Sequence, residues 1–86
     1  MVEVIRFTAS WCGPCRMYKP QFEKAQEELT DVQFTTIDVD NDPQGLSGEY
    51  GVRSIPTTVF LVDNEKVATQ VGVLTTKDLI SKIQEL

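Results

Sequence analysis

VEVIRFTASWCGPCRMYKPQFEKAQEEL, residues 2–29, contains both cysteines of the chain and changes its hydrophobic period at them. On the N-terminal side, VEVIRFT (2–8) is β-branched and aromatic with no turn former, which predicts a strand. On the C-terminal side the apolar positions fall at Tyr18, Phe22, Ala25 and Leu29, the spacing of a helix with one buried stripe. Arg16, Lys19, Glu23, Lys24, Glu27 and Glu28 occupy its polar face, and Pro20 inside it removes a backbone hydrogen bond and predicts a kink. Cys12 and Cys15 therefore stand where a strand hands over to a helix.

Outward from there, VQFTTIDV (32–39) predicts a second strand. Asp42 as N-cap with Pro43 at the first helical position predicts a short helix to about Tyr50, weakened by Gly45 and Gly48. PTTVFLV (56–62) and VATQV (67–71) flank the polar DNEK and predict an antiparallel hairpin. TTKDLISKIQEL opens with Thr75 three residues before Asp78 and continues with Leu79, Ile80, Ile83 and Leu86 on one stripe, a capped C-terminal helix. The order βαβαββα contains one right-handed parallel crossover and one hairpin. The expectation is a single α/β domain over residues 1–86, with a four-stranded mixed sheet and three helices.

A chain of 86 residues carrying a formal charge of −5 belongs to no obvious nucleic-acid-binding class, because its 8 basic residues are scattered from Arg6 to Lys82. No apolar run approaches the roughly 20 residues of a membrane span, and MVEVIRF interrupts its apolar character with Glu3 and Arg6. A cytoplasmic monomer with no nucleic-acid or membrane partner is expected.

Three uses of the cysteines compete. A structural disulfide between them closes almost no loop, so it removes little chain entropy. A metal site needs about four ligands, and there are two cysteines and no histidine, so a dimer or an external thiol has to complete it. A redox pair uses the local sequence best. At a helix N-terminus a Cys12 thiolate is stabilised and its pKa falls below the ~8.5 of free cysteine. Cys15 is within reach to attack a mixed disulfide at Cys12, Pro14 is tolerated in a first turn, and Trp11 offers an apolar face beside an exposed sulfur.

The pentapeptide WCGPC (11–15) after a strand and before a proline-containing helix resembles the active-site motif of the thioredoxin family. The likeness extends through Ala9, Pro20, Asp38 to Pro43, YGVRSIPT (50–57) and VGVLT (71–75). It implies a trimmed thioredoxin fold closer in size to glutaredoxins, and a thiol-disulfide oxidoreductase that reduces protein disulfides through Cys12 and Cys15. It also implies that Pro56 is cis, that Ile55 pairs with an extended substrate, and that Gly72, between Val71 and Val73, forms a further wall of the docking groove. Trp11, Gly13 and Pro14 complete the substrate contacts. Without the resemblance, Pro56 reads as a proline opening a strand and Gly72 as a turn glycine. The implied cofactor is none beyond the Cys12 to Cys15 redox disulfide. The implied partners are disulfide-containing proteins and a thioredoxin-reductase-like electron donor. A glutaredoxin-like, glutathione-linked enzyme and a non-catalytic binding module on the same fold are the alternatives. Gly72 is followed by Val73-Leu74-Thr75-Thr76, without the acidic pair of a glutaredoxin.

Three positions depart from the family. Arg6 replaces the aspartate six residues before the first cysteine, Thr36 replaces its lysine companion, and Thr8 replaces a tryptophan. Arg6 is expected at the surface of the trimmed sheet. Its alternatives are a pair with Asp38 on the neighbouring strand, or a role as a positive charge lowering the thiol pKa values.

Overall fold

The computed structural model describes residues 1–86. Its elements run β1 (Val2–Thr8), α1 (Gly13–Glu28), β2 (Gln33–Asp38), α2 (Leu46–Glu49), β3 (Thr57–Val62), β4 (Glu65–Val71) and α3 (Thr76–Gln84). The sheet order is β2-β1-β3-β4. β1 pairs in parallel with β2, and β3 is antiparallel to both β1 and β4, which is the expected mixed sheet of four strands with three helices.

β1 is central, and Val4, Ile5, Arg6 and Phe7 are buried in succession, so its apolar residues fall on both faces of the sheet. Val4 points to one face with Phe60, where Tyr18, Phe22 and Ala25 of α1 and Leu79 and Ile83 of α3 cover it. Ile5 and Phe7 point to the other with Val59 and Leu61, where Leu46, Tyr50, Val52 and Ile55 close over them. The period-2 geometry of the strand thus distributes one stretch between two cores.

Most boundaries agree with the sequence pattern, and α1 continues through Pro20. α2 does not start at Pro43. Residues 43–45 form a turn in which Gly45 takes a left-handed φ of 67°, and the helix begins at Leu46. Asp42 still serves the helix end, from further back: its carboxylate accepts from the backbone N–H of Leu46 and of Ser47 and from the Ser47 hydroxyl. These bonds hold its carboxyl below the ordinary carboxylate range. β4 starts at Glu65 rather than Val67, because the hairpin turn is only Asp63-Asn64, both with positive φ (50° and 71°), as a tight two-residue connection requires. A register shift between Phe60 and Leu61 follows, since Phe60 faces Ala68 and Leu61 faces Lys66. The C-terminal helix carries its expected cap, the Thr75 hydroxyl accepting from Asp78 N at 3.1 Å.

The Tyr18 hydroxyl is buried with that of Thr58, 2.6 Å away. Burial pushes the Tyr18 pKa up to about 12, against the smaller lowering effects of the Thr58 bond and the Arg6 charge. The folded protein therefore keeps a proton that the unfolded chain loses near pH 10, and stability must fall as pH rises from about 10 to about 12. At pH 11 the loss attributable to this group is about 1.4 kcal/mol. Urea midpoints at pH 8 and pH 11 are expected to fall further for the wild type than for Tyr18→Phe, which lacks the proton. Equal falls would show that Tyr18 titrates alike in both states.

Candidate active site

β1 ends at Thr8, and the chain turns through Ala9–Trp11 into α1, with Ala9 O accepting from Cys12 N at 3.2 Å. Cys12 is the N-cap of α1: its backbone is extended (φ −93°, ψ 112°), and its Sγ accepts a hydrogen bond from Cys15 N at 3.2 Å. Sulfur here does what a serine or aspartate oxygen does at other helix starts. Cys12 and Cys15 are joined in a disulfide with Cα atoms 5.3 Å apart. When that bond is reduced, the same N–H and the positive end of α1 favour a thiolate at Cys12 over a thiol.

The sulfurs are less exposed than the sequence implies. Cys12 is 5% exposed and Cys15 2%, packed with Ala9 and with Val39 and Ile55. Exposure belongs to the rim, where Trp11 is 66% exposed and Gly13, Pro14 and Met17 lie open. The Ile55–Pro56 loop packs against Cys12, with the Ile55 carbonyl oxygen 3.9 Å from Cys12 Sγ.

The Ile55–Pro56 peptide bond is cis. Thr57 Oγ1 donates to Ser54 O at 2.6 Å, and Gly72 N donates to Pro56 O at 2.8 Å, tying the proline loop to the end of β4. Gly72 has φ 99°, a conformation that L side chains rarely adopt, yet a Cβ there meets no atom within 4 Å. The glycine is thus demanded by its backbone, and the space in front of it is open. Between Trp11 and this loop lies a groove of about 380 Å³ lined by Trp11, Val39, Val52, Arg53 and Ile55.

One partner was not legible in the sequence. Trp11 Nε1 donates to Asp40 Oδ2 at 2.7 Å, and Asp40 N in turn donates to Asp38 Oδ1 at 2.9 Å. Asp40 therefore fixes the indole at the rim, and Asp38 fixes Asp40. The only available signal was that 38–43 belongs to the matched segment.

Arg6 overturns two expectations. It is 5% exposed, so it is not a surface residue, and its guanidinium makes no ion pair with Asp38. One Nη donates to Thr36 Oγ1 at 3.2 Å, Nε is buried without a partner, and the guanidinium carbon lies 5.2 Å from the centre of the Phe22 ring. The parallel register of β1 and β2 puts Arg6 directly opposite Thr36, so the two departures from the family pattern meet in space. Burial pulls the Arg6 pKa below its ordinary value, partly offset by the charges of Glu23 and Tyr18.

No group of three or more His, Cys, Asp or Glu is assembled to hold a metal. A disulfide across the first turn of a helix, one sulfur receiving a backbone N–H and facing a cis-proline loop, defines a site for thiol-disulfide exchange. Comparison with known proteins agrees. The thioredoxin family model matches residues 2–85, and the chain belongs to the thioredoxin family, with a thioredoxin fold and the site of a thiol-disulfide oxidoreductase. It is 48% identical to the thioredoxin of Bacillus subtilis over 67 residues, 77% of this chain and 64% of that one. It is 37% identical to the thioredoxin of Mycoplasmoides gallisepticum over 76 residues, 88% of this chain and 75% of that one. Among solved structures, the N21Q mutant thioredoxin of Halobacterium salinarum superposes with a TM-score of 0.86 at 39% identity, covering 98% of this chain and 73% of that one. The malaria parasite's thioredoxin-2 superposes at 0.93 and 26%, covering 100% and 84%.

Proposed function

We propose that this protein is a protein-disulfide reductase in which Cys12 attacks and Cys15 resolves. The Cys12 thiolate displaces one sulfur of a substrate disulfide, which leaves as a thiolate and takes a proton, while a Cys12–substrate disulfide forms. Cys15, as thiolate, then attacks Cys12 Sγ; the second substrate thiol departs and the Cys12–Cys15 bond forms. Two electrons pass to the substrate. The observation that carries this reading is the Cys15 N–H on Cys12 Sγ at the start of α1, which favours the thiolate at Cys12 and not at Cys15.

Extended segments of disulfide-containing proteins are the substrates. They lie against Trp11, Gly13 and Pro14 on one side and against Ile55, Pro56 and Gly72 on the other, and the backbone of Ile55 pairs with the substrate strand. A thioredoxin-reductase-like donor returns the electrons, and no bound cofactor takes part. The protein acts as a cytoplasmic monomer; no helix is long and apolar enough to cross a membrane.

The test is the reduction potential of the pair, followed through Trp11, the single tryptophan, in graded dithiol and disulfide buffers. A value close to about −270 mV is expected for an electron donor of this kind. A value between about −180 and −120 mV would belong to a protein that makes or reshuffles disulfides, and would overturn the proposed direction.

A further inference from the structure

The buried guanidinium of Arg6 has no carboxylate partner. Its recorded contacts are the Thr36 hydroxyl and the Phe22 ring, and the only ion pair of the molecule joins the N-terminus to Asp63. Removing a charge from water without an ion-pair partner costs several kcal/mol, which the charge of Glu23, beyond ion-pair contact, offsets only in part. Arg6 nevertheless lines a cleft of about 340 Å³ between the C-terminal end of β1 and the first turns of α1. Arg16 and Lys19, one turn apart on α1, line the same cleft, as do Thr8, Cys15 and Asp38. Arg16 is held in place, its Nη donating to Ser10 O at 2.9 Å. Three cations thus face a single carboxylate, that of Asp38, and Asp38 is already bonded to Asp40 N. On a chain of net charge −5 this is a local reversal of sign.

We propose that this cleft is a binding site for a small oxyanion of the phosphate or sulfate class, held by Arg6, Arg16 and Lys19 behind Cys15. Guanidinium forks suit tetrahedral oxyanions, and Arg6 has a buried Nε without a partner and no carboxylate in ion-pair contact, which such a ligand supplies. The site lies on the Cys15 side of the disulfide, away from the Trp11–Ile55 groove. A thiolate formed at Cys12 on reduction adds negative charge one helical turn from Cys15, the cysteine that lines the cleft, so the anion binds the disulfide form more tightly. By reciprocity, bound anion favours the disulfide form over the dithiol.

The test uses the oxidised protein and inorganic phosphate, titrated at constant ionic strength against chloride, with amide shifts read by NMR. Because the titration involves no turnover, its outcome is independent of the reductase reading. Saturable shifts centred on Thr8, Ser10, Cys15 and Arg16 are expected, beyond those produced by chloride. Arg16→Gln and Lys19→Gln, both at exposed positions, are expected to weaken phosphate by about tenfold each, the worth of one charge-assisted hydrogen bond. Arg6→Gln is expected to abolish saturation if it folds, and the two exposed variants decide the matter if it does not. Reduced protein is expected to bind at least about threefold more weakly. Phosphate is also tested as an inhibitor of two substrates, an aromatic disulfide bearing carboxylates and an uncharged dipyridyl disulfide. Stronger inhibition with the former assigns the site to an anionic group of the substrate as well as to free ions, and equal inhibition assigns it to free ions alone. Shifts no larger than those of chloride, or saturation unchanged in both exposed variants, overturn the proposal.

Discussion

Cys12→Ser is expected to eliminate disulfide reduction, a loss on the order of 10³-fold or more, because the two cysteines act as a unit and a serine hydroxyl cannot replace a thiolate as nucleophile near neutral pH. Cys15→Ser is expected to lose turnover equally and yet to behave differently. It keeps the attacking sulfur, so it should accumulate a mixed disulfide with substrate that no second sulfur resolves. The asymmetry follows from local geometry. Cys12 Sγ receives the hydrogen bond from Cys15 N and lies against Ile55 O on the side of the open groove. Cys15, the more buried residue, lines the cationic cleft on the opposite side. Mass spectrometry of each variant after exposure to a peptide disulfide separates the roles. A trapped adduct on Cys15 in Cys12→Ser, with none on Cys12 in Cys15→Ser, would reverse the assignment. Trapping on Cys12 alone would also answer the binding-module alternative, which requires no chemistry at either sulfur.

The strand, the helix stripe and the cysteine pair between them were legible because each depends on residues close together in the chain. Val4, Ile5 and Phe7 read as a buried strand whichever face they take, and Tyr18, Phe22 and Ala25 read as one face at helical spacing. The cis bond at Pro56 and the placing of Gly72 against it came from the resemblance; local patterning treats both as ordinary strand-end residues. Arg6 was misplaced for a physical reason. A lone arginine in a strand reads as surface because burial of a charge is expensive, and what changes that judgement is supplied by residues distant in sequence. Thr36 meets it through the parallel register of β1 and β2, and Phe22 arrives from α1, whose crossing position over the sheet no local pattern encodes. The start of α2 was misjudged on a smaller scale. Asp42 was identified as the capping residue, but its carboxylate reaches over a three-residue turn to Leu46 and Ser47 instead of capping a helix that begins beside it.

Phe22→Ala is expected to be the most damaging single truncation, costing about 3–5 kcal/mol. Phe22 is 1% exposed and stands at the centre of an aromatic group, edge-on to Tyr18 at 5.8 Å and to Phe34 at 5.2 Å between ring centroids. The Phe34 contact joins α1 to β2, on the side of the sheet where β2 is the edge strand. The ring has a further duty that an aliphatic core residue lacks, since its face receives the Arg6 guanidinium. Truncation therefore leaves a cavity and withdraws the aromatic face from a charge that has no carboxylate partner. Domains of this size are stable by only about 5–15 kcal/mol, so a substantial part of the total is at stake. Urea unfolding checks the magnitude, and a double-mutant cycle separates its two sources. In an Arg6→Met background the charge is gone while much of the side-chain volume remains. The penalty of Phe22→Ala is then expected to shrink by about 0.5–2 kcal/mol, the range of a cation–π contact from exposed to desolvated. An unchanged penalty would mean that the ring acts through packing alone and that Arg6 is stabilised by Thr36 and by whatever occupies the cleft.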